Sequence, residues 1–205
     1  MILPSGGGVK GALTRWSRRG RRMARRVGRI PQRLLHPLRR RAAAALLRSG
    51  RAPGVVLVVC HGNICRSPYA AGALRRRLPA AFAAAVRVDS AGFVGPHRGA
   101  PPEAIQVAAG RGVDLSGHRS KLLTPQMVAG ADLIVVMEAR QATTIAGFYR
   151  RARRDILVLG DLDPWPIEMR TIRDPFEQPA EVFEASYARI DRCLDELVRL
   201  AWRAG

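Results

Sequence analysis

Short apolar runs alternate with longer amphipathic segments along the chain from residue 54 onward. Runs rich in valine and isoleucine, without polar alternation, are typical of strands buried on both faces of a parallel sheet. They predict strands at Val55–Val59, Val86–Asp89, Leu133–Met137 and Ile156–Leu159. Apolar residues spaced three and four apart predict helices at Pro68–Leu78, Pro102–Arg111, Glu138–Arg151 and Ala180–Trp202. This alternation predicts an α/β fold with a parallel sheet, whose ligands bind beyond the carboxyl ends of the strands.

Residues 1–53 follow a different pattern, in which arginine clusters replace the apolar runs. This segment holds 15 of the 35 lysines and arginines and none of the 16 acidic residues. Blocks of like charge usually remain solvated, so we expect a basic, disordered extension over residues 1–53. Within it, Ala42–Leu47 is a stretch that could form a short helix. Residues 54–205 hold 20 basic and 16 acidic residues, and we expect them to form one ordinary, mildly basic domain.

The composition of the extension fits several partners. A segment without acidic residues can contact nucleic acid or an anionic membrane surface, and it also resembles an organellar transit peptide. The segment would have the same composition if the start codon had been assigned too far upstream and the functional protein began near residue 53. Trp16 is the only aromatic residue in the segment, which weakens a role in stacking on bases.

Cysteine usage and hydropathy bear on the compartment. Three cysteines in 205 residues make a poor disulfide framework and indicate a reducing environment. No apolar run approaches the roughly 20 residues that a membrane helix needs. We therefore expect a cytoplasmic protein.

The segment Val58–Pro68 carries the most informative chemistry of the chain. It places Cys60 six residues before Arg66, between a buried strand and a helix start marked by Ser67 and Pro68. A short loop in that position must curl, so that its inward N–H groups form a nest for an anion and the helix N-terminus adds positive charge. These groups favour the thiolate of Cys60, which is the nucleophilic form of cysteine.

Other residues of this loop also fit an anion site. The guanidinium of Arg66 can hold two phosphate oxygens at once, and the Ser67 hydroxyl can hydrogen-bond the thiolate. Gly62 allows backbone torsions that other residues avoid. We expect Asn63 to tolerate left-handed geometry and to brace the loop through its amide.

Cys65 has two open interpretations. It lies five residues after Cys60 on a tight loop, where it could form a reversible disulfide that protects the nucleophile from over-oxidation. It could equally be a small residue packed under the loop. A metal site is less consistent with the sequence, because His61 is the only further soft ligand nearby.

Together these residues resemble the phosphate-binding loop of the low-molecular-weight protein tyrosine phosphatases. The resemblance runs from about Val55 to the C-terminus. Further pieces follow in the family's order: Asp89–Gly92, His118–Ser120, Asp132–Glu138 and Asp174–Phe176. The resemblance implies a three-layer α/β sandwich with a four-stranded parallel sheet, flavodoxin-like and of the phosphotyrosine phosphatase I type. It also implies that no metal or organic cofactor is needed.

The resemblance assigns roles to particular residues. Cys60 would attack phosphorus and form a phosphocysteine, Arg66 would bind the phosphoryl oxygens, and Asp174 would protonate the leaving phenolate and then activate water. The expected substrate-binding residues are His61, Gly62, Asn63, Ile64, Cys65, Ser67 and Phe176. The expected supporting residues are Ser90, which holds the loop, and a hydrogen-bonded pair formed by His118 and Glu138.

Several positions depart from the family's usual residues. Glu138 stands where aspartate is usual, and Phe176 replaces the commoner tyrosine, which keeps an aromatic wall without its hydroxyl. Glu177 stands where some members have a second tyrosine, so control by phosphorylation of a tyrosine pair is not expected. His61 occupies a pocket-wall position that is usually small or apolar.

Two Asp-Pro-aromatic segments compete for the role of general acid, Asp163–Trp165 and Asp174–Phe176. Proline stiffens both and a ring backs both, so local chemistry does not separate them. Their order in the chain does, because the family's acid lies just before the last long helix. We expect Asp174 to be the acid and Asp163 to cap a turn.

Two other activities are known on the same fold, and both are open alternatives. Arsenate reductases pass electrons through further cysteines beyond the loop, and this chain has none between Cys65 and Cys193. Protein arginine phosphatases are expected to have threonine at the position of Ile64, whose apolar side chain favours phosphotyrosine. By resemblance, the expected partner is a phosphotyrosine protein, such as an autophosphorylated bacterial tyrosine kinase that controls capsule or exopolysaccharide export.

Overall fold

The protein is described here by a computed structural model over residues 32–202. A four-stranded parallel sheet contains β1 (Val55–Cys60), β2 (Arg87–Gly92), β3 (Leu133–Val136) and β4 (Ile156–Val158). The α-helices of this region are α1 (Gln32–Ser49), α2 (Arg66–Arg77), α3 (Ala80–Ala83), α4 (Pro102–Gly110), α5 (Pro125–Ala129), α6 (Ala139–Phe148) and α7 (Ala180–Ala201). Short 3-10 helices occupy Arg153–Asp155 and Leu159–Leu162.

The strand order β2-β1-β3-β4 places β1 inside the sheet. The chain passes from β1 to β2 on one side and returns to β3 on the other, so the order reverses at the carboxyl end of β1. There Cys60 pairs with Gly92 of β2, and Val59 pairs with Val136 of β3. The loop after Cys60 therefore begins in the crevice where sheets of this type bind ligands. The predicted α/β fold with a four-stranded parallel sheet is confirmed.

Helices cover both faces of the sheet, which explains why its strands are apolar without alternation. One face packs against α1, α2, α4 and α7, and that cluster includes Val58, Leu74 and Leu194. The other face packs against α5 and α6, and that cluster includes Val59 and Ile145. Three layers with two apolar cores result, as the resemblance implied.

The expected disorder of the basic extension does not hold for Gln32–Ser49, which forms helix α1. Its apolar side packs on the domain, where Ala43, Ala44 and Leu47 join the core cluster. Packing of one apolar face stabilises a helix that like charges alone would leave in water. The short helix considered within this segment is the C-terminal part of α1, and residues 1–31 lie outside the described residues.

The other predicted elements agree in position with the structure and differ at their ends. Helix α2 begins at Arg66 rather than Pro68, and β2 continues to Gly92 rather than ending at Asp89. Helices α3 and α5 were not predicted, because four or five residues are too few to show a helical period. None of the helices within residues 32–202 is long and apolar enough to cross a membrane.

Candidate active site

The loop over residues 61–65 connects β1 to α2 and is supported from the core side by α7. The hydroxyl of Tyr187 in α7 donates a hydrogen bond of 3.2 Å to the backbone carbonyl of Cys65. The ring of Tyr187 stacks on Tyr69 of α2 with 3.8 Å between ring centroids. The first turn of α2 and the end of the loop are therefore fixed by the same buried aromatic pair.

The thiol of Cys60 lies within hydrogen-bond distance of Ser67, with 3.1 Å between Sγ and Oγ. The amide of Asn63 donates to the hydroxyl oxygens of Ser67 and Ser90, each at 2.9 Å. Its own oxygen accepts from the backbone N–H of Lys121 at 2.8 Å. Because Ser67 accepts from Asn63, its own proton can be donated to the Cys60 sulfur or to the backbone carbonyl of Ala91, which lies 3.5 Å away.

The left-handed torsion of the loop lies at Asn63 and not at Gly62. Asn63 has a φ of +51°, whereas Gly62 has no positive φ and a Cβ there would meet Ile64 at an ordinary 3.6 Å. The loop therefore does not use the conformational freedom that Gly62 allows, and the left-handed geometry considered for Asn63 is observed. The glycine that the loop requires is Gly92, where a Cβ would lie 2.8 Å from the backbone of both Asn63 and His61.

Arg66 is almost completely buried, and three acceptors fix its guanidinium. Its Nη1 donates to Glu138 at 3.1 Å and to the backbone carbonyl of Ile172 at 3.0 Å, and its Nη2 donates to the carboxylate of Asp174. Its buried Nε has no hydrogen-bond partner within residues 32–202. A buried donor normally finds a partner, so this nitrogen is suited to an anion bound beside the loop.

Glu138 and His118 do not form the predicted pair, because each has a different partner. Glu138 accepts from Arg66 and from Arg140, the latter at 2.6 Å. Burial favours the neutral carboxyl, but the Arg140 hydrogen bond and the Arg66 charge together lower the pKa of Glu138. His118 Nε2 donates to the backbone carbonyl of Asn63 at 2.6 Å, and burial lowers the pKa of this histidine. Glu138 thus fixes Arg66, while His118 fixes the loop.

The two Asp-Pro-aromatic segments form the same turn in different surroundings. In each, the aspartate accepts a hydrogen bond from the backbone N–H two residues later, at 3.2 Å for Asp163 and 3.3 Å for Asp174. Asp163 is buried and forms ion pairs with Arg189 at 2.9 Å and Arg192 at 3.1 Å. The Asp174 side chain is 43% exposed and lines the same cavity as Cys60. Only Asp174 is therefore placed to reach a molecule bound at the loop.

A cavity of about 260 Å³ connects the loop to Asp174. Its lining contains Cys60 and Asp174. Five of the predicted substrate-binding residues also line it, namely His61, Gly62, Ile64, Cys65 and Phe176. Two further lining residues, Val94 and Arg98, were not predicted. Asn63 and Ser67 were expected to bind substrate, but they are buried and are not part of this lining. They support the loop through hydrogen bonds instead.

Cys65 has a neutral thiol at ordinary pH. Burial, with the charges of Asp174 and Cys60 adding to it, raises the pKa of Cys65 well above its usual range. Cys60, Cys65 and Cys193 are all free thiols, and Cys193 lies in the core. Within the described residues, no group of three or more histidine, cysteine or acidic side chains is placed to hold a metal ion.

Arg98 is the main site residue that sequence reasoning missed. Its guanidinium lies 5.6 Å from the centre of the Phe176 ring, a cation–π contact at the side of the cavity. Its backbone N–H donates to the Ser120 hydroxyl at 2.9 Å. Two glycines, Gly95 and Gly99, flank this stretch. These glycines mark a loop just beyond the carboxyl end of β2. Ligands of parallel sheets bind at that edge, so Arg98 could have been predicted to lie near the site.

Comparison with known proteins shows which family and which relatives this chain is similar to. Residues 55–202 match the family model described as low molecular weight phosphotyrosine protein phosphatase. The probable low molecular weight protein-tyrosine-phosphatase EpsP of Ralstonia nicotianae is 38% identical over 145 residues, which is 70% of this chain and 92% of that protein.

Two solved structures show the same fold with different named activities. The tyrosine phosphatase amsI of Erwinia amylovora has a TM-score of 0.65 at 29% identity, covering 74% of this chain and 95% of that one. The arginine phosphatase YwlE of Geobacillus stearothermophilus has a TM-score of 0.62 at 29% identity, covering 72% and 92%. The fold is therefore shared by two phosphatase classes, and the pocket residues must separate them.

Proposed function

The chain belongs to the low molecular weight phosphotyrosine protein phosphatase family, and from that premise we propose that it hydrolyses phosphotyrosine in proteins through a phosphocysteine. The observation that carries the proposal is one cavity lined by both the Cys60 thiol and the Asp174 carboxylate, with the guanidinium of Arg66 bonded to Asp174. A nucleophile, an anion-binding group and a proton donor are the three parts that this chemistry requires.

In the first step, the Cys60 thiolate attacks phosphorus, so that a P–S bond forms while the P–O bond to the tyrosine ring breaks. Asp174, in its protonated form, gives its proton to the leaving phenolate oxygen. The Ser67 hydroxyl stabilises the sulfur anion before attack. The products of this step are the dephosphorylated tyrosine and a phosphocysteine.

In the second step, water attacks the phosphocysteine and the P–S bond breaks. Asp174, now a carboxylate, takes a proton from the water, and inorganic phosphate and the thiolate result. The thiolate leaves readily because the same Ser67 hydroxyl that stabilised the nucleophile also stabilises the leaving group. Both the carboxyl and the thiolate return to their starting forms, so each cycle consumes one phosphotyrosine and one water molecule.

Arg66 stabilises charge on the phosphoryl group in both steps. Its side chain is held by Glu138 and by the carbonyl of Ile172, so little rotamer entropy is lost when it binds an anion. The lowered pKa of Glu138 keeps that carboxylate ionised and paired with the guanidinium. This is electrostatic preorganisation, which usually supplies a large part of enzymatic rate enhancement.

Phosphotyrosine is favoured over phosphoarginine by the walls of the cavity. Ile64 and Phe176 are apolar, and they line the cavity together with Val94 and with Arg98, which contacts the Phe176 ring. An aromatic ring gains from such walls, whereas a guanidinium leaving group would lose hydrogen bonds to water there. We infer a phosphoprotein substrate with an exposed tyrosine, for which an autophosphorylated bacterial tyrosine kinase of the cytoplasm is our specific candidate.

The test uses the full chain with para-nitrophenyl phosphate, a phosphotyrosine peptide and a phosphoarginine peptide. We expect turnover of the first two, loss of turnover in Cys60→Ser, and retained turnover in the matched control Cys193→Ala. Full activity in Cys60→Ser would refute the mechanism, and preference for phosphoarginine would refute the substrate class. Reduction of arsenate with a thiol donor, without phosphatase activity, would identify the rival redox reaction.

The acid is tested separately with aryl phosphates of different leaving groups. Asp174→Asn should lower kcat for phenyl phosphate by about 100-fold or more, and much less for a leaving group that needs no proton. Asp163→Asn makes the same change in the same kind of turn, and although it also removes the anion between Arg189 and Arg192, it should leave the ratio of kcat for the two leaving groups unchanged. Equal losses for both leaving groups in Asp174→Asn would refute its role as proton donor.

A further inference from the structure

Helix α1 carries a stripe of exposed residues that the phosphatase chemistry does not use. We define the outer stripe as Leu34, Leu38, Arg41, Ala45 and Arg48. Their spacing of four, three, four and three residues places them on one side of a helix. The buried residues of α1, among them Ala43 and Leu47, lie on the other side against the domain.

Two features of the outer stripe distinguish it from an ordinary solvated helix face. Leu34 and Leu38 are 67% and 62% exposed, although both are large apolar side chains one helical turn apart. Arg41 and Arg48 are exposed, and no ion pair joins either of them to a carboxylate of the described chain. An apolar end and a cationic end therefore share one accessible face.

A basic cleft adjoins the outer stripe, where α1 packs on α7. It has a volume of about 350 Å³, and Arg41 and Arg48 contribute to it together with Arg40, Arg199 and Glu196. Glu196 is engaged by Arg40 at 2.7 Å and by Arg199 at 2.8 Å. One carboxylate thus faces four guanidiniums, and the cleft retains an excess of positive charge.

The sequence extends the same charge beyond the helix. Residues 1–53 hold 15 basic residues and no acidic ones, so every charge of this segment has the same sign. Basic residues near an anionic leaflet each contribute about 1 kcal/mol of attraction. Exposed leucines beside them add apolar burial at the headgroup boundary, which is how amphipathic helices lie on membranes.

We propose that the outer stripe of α1 is a docking surface for an anionic membrane, with Leu34 and Leu38 entering the headgroup boundary and Arg41 and Arg48 contacting lipid phosphates. Duplex nucleic acid would use the arginines but gain little from two exposed leucines. Single-stranded nucleic acid would want stacking rings, and Trp16 is the only aromatic residue of residues 1–53. The pairing of leucine with arginine therefore favours a bilayer.

The experiment is flotation of the full chain with vesicles at about 0.1 M salt, where surface charges are still felt over roughly 10 Å. One set of vesicles contains phosphatidylcholine alone, and the other contains phosphatidylcholine with phosphatidylglycerol. We expect binding to the anionic vesicles only, and we expect that binding to weaken as salt is raised. Equal binding to both sets would overturn the electrostatic part of the proposal.

Two double variants test the two halves of the stripe. Arg41→Gln with Arg48→Gln should weaken binding about 30-fold, from roughly a fivefold effect per charge. Leu34→Ser with Leu38→Ser should weaken it at least about tenfold, since apolar burial is lost while charge is kept. The control is Arg87→Gln with Arg154→Gln, which removes two exposed arginines outside α1 and should change binding by no more than about twofold.

The outcomes separate the occupants. The melting temperature of each variant is also measured. A value equal to that of the wild type shows that a loss of binding does not result from a loss of folding. If the leucine variant binds as the wild type does, and duplex DNA competes with the vesicles, the surface is a nucleic-acid site and the proposal fails. If neither double variant differs from the Arg87 and Arg154 control, the outer stripe takes no part in binding.

Discussion

Asn63 is the residue whose replacement tests the architecture of the loop most directly. It is fully buried, it has the left-handed φ of +51°, and its amide makes three hydrogen bonds, to Ser67, to Ser90 and from Lys121. Asn63→Gly removes the three bonds but keeps a residue that adopts positive φ freely. Asn63→Ala removes the bonds and adds the strain.

The magnitudes follow from these contacts. Three hydrogen bonds at a net of about 1 kcal/mol each give a loss of roughly 3 kcal/mol for Asn63→Gly. A left-handed torsion costs an alanine about 1–2 kcal/mol, so Asn63→Ala should lose roughly 4–5 kcal/mol. Ser90→Ala removes a single one of these bonds and should lose about 1 kcal/mol. The larger values are a substantial part of the roughly 5–15 kcal/mol that stabilises a domain.

The assay is urea unfolding of the three variants, with the free energy of unfolding extrapolated to water. The same samples are assayed for turnover of para-nitrophenyl phosphate. Because Ser67 is oriented by Asn63 and contacts the Cys60 sulfur, we expect kcat to fall in both Asn63 variants. A loss of stability in Asn63→Ala no larger than that in Ser90→Ala would refute the reasoning, as would wild-type kcat in Asn63→Gly.

Three further predictions concern titratable groups, of which Asp163 and Cys65 are buried and His118 is half-buried. Asp163→Asn should destabilise the protein by about 3 kcal/mol in urea, because Arg189 and Arg192 lose their common anion; a change under about 0.5 kcal/mol would contradict this. Burial lowers the pKa of His118 below its usual value of 6.5, so the contribution of the neutral imidazole to stability is present above pH 6.5 and is lost as the pH falls. His118→Gln should therefore flatten the decline in the free energy of unfolding between about pH 7 and 5. An unchanged slope in this variant would contradict the prediction. Burial raises the pKa of Cys65, so its thiol stays neutral and unreactive in the folded protein. The Cys60→Ser variant, which still contains Cys65, should therefore react with iodoacetamide only after it is unfolded. Stoichiometric labelling of the folded variant would disprove the raised pKa of Cys65.

The sheet was predictable because its strands are short, apolar and separated by helices of clear period. A strand that is buried on both faces consists of apolar residues, and Val55–Cys60 contains no polar residue. The extension was harder to predict. Its arginines suggested disorder, yet Ala43, Ala44 and Leu47, which are few enough to be overlooked, pack α1 against the domain.

The chemistry of the site was predictable where it is local in sequence. Cys60 ends β1, and Arg66 and Ser67 begin α2 after a loop of five residues, so the spacing of these residues determines their geometry. Contacts between distant loops were not predictable in this way. The pairing of Glu138 with Arg66 and of His118 with the Asn63 carbonyl depends on how loops after different strands meet, which no local pattern records.

The hydrogen bond from Tyr187 to the Cys65 carbonyl joins positions that are 122 residues apart. During synthesis the nucleophile loop therefore leaves the ribosome long before the helix that steadies it. A growing chain that has emerged only as far as β4 has the thiol and the guanidinium but still lacks Asp174 and Tyr187. The ability to cleave phosphate esters should accordingly arise late, once α7 has folded against α2, so that unfinished chains do not act on phosphoproteins.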